Sequence, residues 1–289
     1  MLGTKTIQLL LAEGRQPISV SLEPESLNRF LGEFPYLQLD ITDAGVVREL
    51  LARLRPEAVI HTAAFTAVDA CETQRDLSWR VNVEGTANVA AACREIDARL
   101  VHVSTEYLFD GENGPYTEED PPHPISHYGL TKLESEKAVR ERCSDWVIGR
   151  TTVLFGHAPN VRPSFVAWLA DKLSRGERVR VVDDQIGSPT LADNLAQMLL
   201  ALLDSDRGGV YNTVGDTILD RHAFAVMEAD LFGLDPSLID RIKTSELGQP
   251  APRPLKAGLI MDKFKRDFPS VPVLTAGQAL GEIQRQMQG

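Results

Sequence analysis

Cysteines are few in this sequence, and their spacing excludes two classes of protein. The 289 residues contain only Cys71, Cys93 and Cys143, which are far apart and form no CxxC pair. Small disulfide-dependent domains and thiolate zinc sites need more cysteines at closer spacing. We therefore expect neither a disulfide framework nor a metal site.

Positive charge is also scarce. The chain has 30 Lys and Arg against 41 Asp and Glu, a formal net charge of -11. Nucleic acids and anionic membranes bind proteins through a surplus of Lys and Arg. Neither is an expected partner, although an acidic total still permits a local basic pocket for a phosphorylated small molecule.

Long apolar runs are missing as well. A membrane-spanning helix needs about 20 apolar residues, and no stretch of the chain approaches that length. The first residues also lack the charged and apolar regions of a signal peptide. The sequence therefore predicts a cytoplasmic protein without a membrane partner.

Short apolar runs do alternate with longer amphipathic stretches through the first half of the chain. Such runs, when they lack period-2 alternation, are typical of parallel strands buried on both faces, and strand and helix in turn indicate a doubly wound α/β sheet. Strands are predicted at 17–22, 57–64 and 99–105 and at the start of segment 145–156, and helices at 43–54, 83–96 and 127–142.

The alternation becomes less regular after about residue 157. We therefore predict a first domain over 1–156, to which some later segments return, and a smaller C-terminal α/β lobe over 157–289. Its predicted elements are helices at 163–176, 194–205 and 221–233, strands at 178–184 and 209–215, and an extended Pro/Gly-rich loop at 248–258.

The chain opens in a helix. Gly3 precedes TIQLLLA, whose helical spacing ends at Glu13-Gly14. In a dinucleotide-binding fold a strand and a Gly-rich turn precede such a helix, so Gly3 would be the last glycine of a turn whose first half is missing. Either the start was assigned too late or the first strand is truly absent. We favour a late start, because losing a central strand would leave backbone groups unpaired.

The strongest chemical pattern is YGLTK, which places Tyr128 and Lys132 on one face of a helix. The strand upstream ends in Ser104 and Thr105, at the edge where open α/β sheets bind ligands. A phenol with a pKa near 10 needs a nearby cation to exchange a proton at neutral pH, and Lys132 is placed to supply it. The same spacing also occurs on helices that bear a packed Tyr and a solvated Lys, so the position after the strand is what favours catalysis.

Several segments in chain order carry a family resemblance over nearly the whole sequence. They are HTAAFTAVDACE (61–72), VNVEGT (81–86), VHVSTEYLFDG (101–111), PYTEED (115–120), HYGLTKLESEKAV (127–139), GRTTVLFG (149–156), DDQIGSPT (183–190) and PRP (252–254). Together they resemble the extended short-chain dehydrogenase/reductases and, within them, the dTDP-4-dehydrorhamnose reductase family. The combination of STEYLFDG, YGLTK and DDQIGSPT is specific.

The resemblance implies a Rossmann-type domain that binds NAD(P)H, a smaller lobe that binds a nucleotide-sugar, and reduction of a 4-keto-6-deoxy sugar. Thr105 would orient the substrate, and Tyr128 would protonate the keto oxygen. Lys132 would hold the nicotinamide ribose and lower the phenol pKa, while the cofactor supplies the hydride.

The resemblance also implies further binding residues. We expect no metal, and a homodimer stays open as the assembly. Cofactor contacts are implied for Gly3, Asp40, Ile41, Ala63 and Ala64, with Tyr128 and Lys132, and sugar contacts for Thr66, Val68 and Glu106.

Several alternatives stay open. Asp40 is equally well a cap or turn carboxylate before helix 43–54. Ser21, where NAD-dependent enzymes commonly have Asp or Glu, weakly favours NADP over NAD, and Glu23 could reverse that preference. Val153 replaces an aromatic residue common in rhamnose-type reductases, which makes the exact sugar less certain.

A binding role on the same fold is the alternative to an enzyme. The regulatory subunit of methionine adenosyltransferase resembles the same family, keeps the YxxxK helix and acts through a partner. An incomplete phosphate turn would suit such a non-catalytic NAD(P)-binding subunit.

Overall fold

The computed structural model describes residues 1–26, 28–159, 161 and 163–288. The helices are α1 (Leu2–Ala12), α2 (Ala44–Leu54), α3 (Val68–Thr73), α4 (Arg75–Trp79), α5 (Thr86–Glu95), α6 (His127–Arg142), α7 (Phe165–Ser174), α8 (Ala192–Leu203), α9 (Arg221–Phe232), α10 (Asp262–Asp267) and α11 (Ala276–Gln288). The strands are β1 (Ser19–Ser21), β2 (Tyr36–Gln38), β3 (Ala58–His61), β4 (Arg99–Thr105), β5 (Trp146–Thr151), β6 (Leu154–Phe155), β7 (Val179–Val182), β8 (Ile186–Gly187), β9 (Thr190–Leu191), β10 (Gly209–Asn212), β11 (Leu219–Asp220) and β12 (Ile239–Ile242).

The main sheet is parallel and has the order β10-β5-β4-β3. Successive side chains of a strand point to opposite faces. Leu100 and Ile148 accordingly join a core cluster with α5 and α6, and Val101 and Val147 join another with α1 and α8. Helices thus cover both faces, which confirms the predicted doubly wound α/β class. β10 belongs to this sheet although it lies beyond residue 156.

β1 and β2 form a separate parallel pair. In the described part of the chain no backbone hydrogen bond connects β1 with β3. The opening helix is confirmed as α1, and Gly14 follows its end with φ 72° in the left-handed region that glycine tolerates.

Segment 145–156 starts with a strand, as predicted, and this strand is β5; the Thr152 hydroxyl then donates to the Ser188 carbonyl, and β6 follows. The helix predicted over 83–96 is longer, since a π-helical turn (Arg80–Gly85) connects α4 with α5.

The second lobe contains the parallel pair β7 and β12, against which α9 packs. β6 pairs with β9 and β8 pairs with β11, each over two residues. The loop over 248–258 contains no helix among its described residues, as predicted, and Lys256 bridges to Ile186. The division at residue 156 stays a prediction.

Candidate active site

The carboxyl end of β4 and the first turns of α6 face each other. Ser126 caps α6 by accepting from Gly129 N at 3.1 Å, which starts the helix just before Tyr128. A Cβ on Gly129 would lie 2.1 Å from the Tyr107 carbonyl oxygen, so a residue without a side chain is required for this close approach. The glycine therefore lets α6 bring Tyr128 against the segment that follows β4.

Tyr128 is a buried phenol beside other polar groups. It is 8% exposed, and its ring meets Tyr107 edge-on with centroids 5.5 Å apart. Burial, and then the Glu106 carboxyl, raise the pKa of Tyr128 above its usual value, while the Thr105 hydroxyl opposes the rise. The phenol thus keeps its proton at neutral pH. The lowering by Lys132 that the family resemblance implies is not present in this arrangement and stays a prediction for the complex with cofactor.

Lys132 lies one turn farther along the same face of α6 and is 3% exposed. Its Nζ donates to the Val103 carbonyl at 2.8 Å and lies 3.3 Å from His102 Nε2. Burial lowers the pKa of Lys132 to about 8, and Glu136 opposes the shift. A Lys whose pKa lies this close to neutral pH is uncommon, and such groups concentrate at functional sites.

Thr105 and Glu106 complete this group. The Thr105 hydroxyl donates to Glu106 Oε2 at 3.0 Å and accepts from Tyr107 N at 3.3 Å. Glu106 is 5% exposed, and burial raises the pKa of its carboxyl to about 7. Of the residues predicted from the sequence, the structure therefore brings Thr105, Glu106, Tyr128 and Lys132 together.

A cavity opens beside Glu106. Its lining includes Val153, which follows β5, and residues 185–189 of the DDQIGSPT segment. A second cavity shares Tyr107, Phe165, Gln185 and Arg221 with the first. Its other lining residues include Trp168, Arg180 and Arg253.

The arginines of these cavities were missed in the sequence. Arg253 lies within the PRP segment, which contributes to the family resemblance but had no function assigned to its arginine. Arg180 and Arg221 belong to no motif. Arg253 pairs with Asp69 at 2.9 Å, and Arg180 pairs with Glu246 at 3.0 Å. Within the described residues the Arg221 side chain forms no ion pair.

The loop after β3 and the start of α3 contain four residues predicted to bind ligands. The loop is held in place by Asn82, for which no role was predicted from the sequence. Asn82, which is fully buried, accepts from Phe65 N at 2.7 Å and donates to the Phe65 carbonyl at 3.1 Å. It also donates to Thr131 on α6 at 2.9 Å. The amide thereby ties this loop to the helix of Tyr128. The predicted residues on the loop and at the start of α3, which contacts α6, are Ala63, Ala64, Thr66 and Val68.

Asp40 and Ile41 lie apart from this group. Asp40 accepts from Thr42 N at 2.9 Å, while Asp43 caps α2. The turn interpretation of Asp40 is thus confirmed, the cap interpretation is wrong because Asp43 fills that position, and the adenine contact stays a prediction. No hydrogen bond of the described residues connects Asp40 with the Tyr128 group. Gly3 lies in the first turn of α1, where an added Cβ would be 3.4 Å from Thr62 Oγ1.

The carboxyl edge of the sheet contains polar groups that suit a nicotinamide cofactor. Ser104 Oγ and Thr151 Oγ1, at the ends of neighbouring strands, are buried without a hydrogen-bond partner. Buried hydroxyls are normally paired, so unpaired ones mark a position where a polar ligand is accommodated. Together with Tyr128 and Lys132, these residues fit such a cofactor.

Other site types find less support. The three cysteines are buried free thiols. Among the described residues, no group of three or more His, Cys, Asp and Glu side chains is placed to hold a metal ion. No helix in that part of the chain is long and apolar enough to span a membrane.

The chain is similar to known proteins over most of its length. The family model described as RmlD substrate binding domain matches residues 1–283. A dTDP-4-dehydrorhamnose reductase of Streptomyces griseus is 38% identical over 78% of this chain and 76% of its own. The methionine adenosyltransferase 2 subunit beta of Rattus norvegicus is 32% identical over 79% of this chain and 70% of its own. The crystal structure of the Bacillus anthracis dTDP-4-dehydrorhamnose reductase with NADP superposes with a TM-score of 0.83, covering 93% of this chain and 98% of that one at 28% identity.

Proposed function

We propose that this chain, which belongs to the family of the RmlD substrate binding domain, is an NAD(P)H-dependent reductase of dTDP-linked 4-keto-6-deoxy sugars of the dTDP-4-dehydrorhamnose type. The observation that carries the proposal is the buried group of Thr105, Tyr128 and Lys132, in which Thr105 is hydrogen-bonded to Glu106 of the first cavity. A carbonyl reduction requires a group that orients the keto oxygen, a proton donor and a cation near that donor, and these three side chains are of those types.

The protein's part in the reaction is to orient the sugar and supply a proton. The cofactor supplies a hydride to the carbonyl carbon when it is bound. Thr105 donates a hydrogen bond to the keto oxygen and releases its bond to Glu106 to do so. Tyr128 then gives its proton to that oxygen, and the positive charge of Lys132 opposes the rise in negative charge on the phenol.

The arginine-lined cavity suits the diphosphate of the nucleotide-sugar. Arginine binds phosphate oxygens through paired N–H donors, and aromatic rings stack on bases. Arg221 borders both cavities, so it lies between the sugar end at Glu106 and the wider space beside Trp168. We assign the diphosphate to Arg221 and the base to the surroundings of Trp168. The acidic chain thus has its local basic pocket.

The cofactor is proposed to be NADPH in preference to NADH. Ser21, at the end of β1, has no carboxylate to repel a 2′-phosphate. A relative of known structure is an NADP complex. The proposed contacts of the cofactor rest on the family resemblance alone. They involve Gly3, Asp40, Ile41, Ala63 and Ala64.

The test combines two measurements, cofactor binding and substrate turnover. We expect saturable micromolar binding of NADPH by fluorescence titration, weaker binding of NADH, and NADPH oxidation that depends on dTDP-4-dehydrorhamnose. Binding of the cofactor without turnover would overturn the reductase proposal. Co-purification with a methionine adenosyltransferase would then support the regulatory alternative.

Removal of the Arg221 cation should weaken substrate binding selectively. We expect Arg221→Ala to raise the KM for the dTDP-sugar by about 10- to 100-fold, the equivalent of one or two lost charge-assisted hydrogen bonds. The Kd for NADPH should not change. Initial-rate kinetics and cofactor titration measure the two constants.

Arg178→Ala is the matched control, because Arg178 pairs with Asp240 on the surface and borders neither cavity. Its KM should equal that of the unmodified chain. An unchanged KM in Arg221→Ala would contradict the assignment of the diphosphate to this side chain.

A further inference from the structure

A continuous set of polar side chains is buried beneath the proposed catalytic lysine. His61 on β3 and His102 on β4 are partners in the sheet register, and their rings stack with centroids 5.4 Å apart. His61 Nε2 lies 3.1 Å from Thr86 Oγ1 on α5, and His102 Nε2 lies 3.0 Å from Ser135 Oγ on α6. The side of the sheet they occupy is otherwise packed with apolar residues. Polar groups in such a position are costly unless each is paired, so their arrangement calls for an explanation.

His102 is the member that touches Lys132. Its Nε2 is 3.3 Å from Lys132 Nζ, and the imidazole is fully buried. Its Nδ1 is buried without a partner. The contacts of the ring are therefore concentrated on Nε2, the atom shared by Lys132 and Ser135.

The available protons restrict how these three groups are arranged. The Ser135 hydroxyl donates its only proton to the Lys132 carbonyl at 2.7 Å. A lysine ammonium is a donor only, so Nε2 must offer its lone pair when Lys132 is charged. When Lys132 is neutral, Nε2 can instead carry the proton and donate it to the amine or to Ser135. The protonation of Lys132 and the tautomer of His102 are thus linked.

We infer that His102 is a positioning residue for Lys132, holding Nζ against the end of β4 as a hydrogen-bond acceptor and stabilising its charged form. Val103 accepts the second N–H of the ammonium at 2.8 Å, which leaves a third for the cofactor edge of the sheet. The functional meaning of this pair rests on the proposed role of Lys132 in the reductase.

The surrounding charges agree with a neutral imidazole acceptor. Burial, then Lys132 and then His61, hold the pKa of His102 well below its usual value. Burial also lowers the pKa of His61 to about 3, so neither ring competes with Lys132 for positive charge. Glu136 on α6 favours the charged Lys132, but its carboxylate is already paired with Arg140 and Arg150. His102 is therefore the group in direct contact whose removal should most affect the lysine.

Nitrogen-15 NMR of the imidazole in the chain without cofactor tests the inference directly. We expect His102 to stay neutral, with an unprotonated Nε2 whose shift moves near pH 8, where burial places the pKa of Lys132. The inflection should vanish in Lys132→Met and persist in His61→Gln, which changes the stacked ring without touching Nζ. A flat Nε2 shift, or an inflection that survives in Lys132→Met, would overturn the inference. Because no sugar substrate is used, this result does not depend on whether the chain is a reductase.

The pH dependence of NADPH binding gives a second readout. In His102→Phe, which cannot accept a hydrogen bond, we expect the loss of affinity at high pH to begin about one pH unit lower, the size of one hydrogen bond to a charged group. His102→Gln has an amide oxygen that can accept from Nζ and should restore the original profile. Equal profiles in all three proteins would show that His102 acts only in packing. If His102→Phe does not fold, the NMR comparison of the unmodified chain with Lys132→Met still decides the question.

Discussion

Tyr128→Phe should lower kcat by about 10²- to 10⁴-fold, the contribution typical of a positioned proton donor. The substitution removes only the hydroxyl. The ring that packs edge-on against Tyr107 is retained, so the midpoint of thermal unfolding should not fall. The Kd for NADPH should rise by no more than about tenfold, because a single neutral hydrogen bond contributes about 1 kcal/mol. Steady-state NADPH oxidation and fluorescence titration measure the two effects.

Tyr107→Phe is the control for this prediction. Tyr107 is also a shielded phenol and borders both cavities, and burial raises its pKa. It is not on α6 beside Lys132, so its hydroxyl should affect substrate KM more than kcat. A Tyr128→Phe protein that keeps more than about a tenth of the original kcat would rule out Tyr128 as the acid.

The raised pKa of Tyr128 also determines how a pH profile is interpreted. A phenol must be protonated to act as an acid, and one whose pKa lies above its usual value keeps its proton throughout the physiological range. A loss of activity as the pH rises through about 8 would therefore reflect the deprotonation of Lys132, because burial lowers the pKa of this residue to about 8. Activity that changes near neutral pH would report Glu106, whose carboxyl titrates at about 7.

The parts of this fold that the sequence predicted are those with a strong local pattern. β4 and α6 begin and end where predicted, because a β-branched run and a capped stretch rich in helix-forming residues determine their bounds without help from distant residues. The meeting of Thr105 with Tyr128 was predictable for the same reason. Parallel strands end at one edge of a sheet, and the helix after β4 begins close to that edge.

The missed features depend on residues far apart in the chain. β2 has only three residues and is stabilised by pairing with β1, so its own sequence shows little strand pattern. Arg180 and Arg221 lie in the same cavity as Tyr107 although both are distant from it in the chain. The contact of His102 with Lys132 was also missed, since nothing in the sequence shows that β3 carries a histidine at the position in register with it.

A buried ion pair behind the proposed active site gives the largest expected change in stability. Glu136 on α6 and Arg150 on β5 are almost completely buried, and two hydrogen bonds of 2.9 Å join the carboxylate to the guanidinium. Arg140 donates a third at 3.1 Å, and Arg150 lies over the Phe109 ring at 5.6 Å. Glu136→Ala leaves the Arg150 charge buried without a counter-ion. We expect a loss of about 3–5 kcal/mol in the free energy of unfolding, or a fall of about 10 °C in Tm.

Two comparisons separate this effect from the loss of a surface charge. Glu134, on the same helix, pairs with Lys137 at 2.7 Å near the surface. Glu134→Ala should cost less than about 1 kcal/mol, since exposed pairs contribute little. The double variant Glu136→Leu with Arg150→Met should be more stable than Glu136→Ala alone, because it removes the buried Arg150 charge together with its counter-ion. If chemical denaturation found Glu136→Ala and Glu134→Ala equally stable, the pair would contribute no more than a solvated one. The helix that carries Tyr128 and Lys132 would then have to be held in place by its apolar contacts and its other hydrogen bonds.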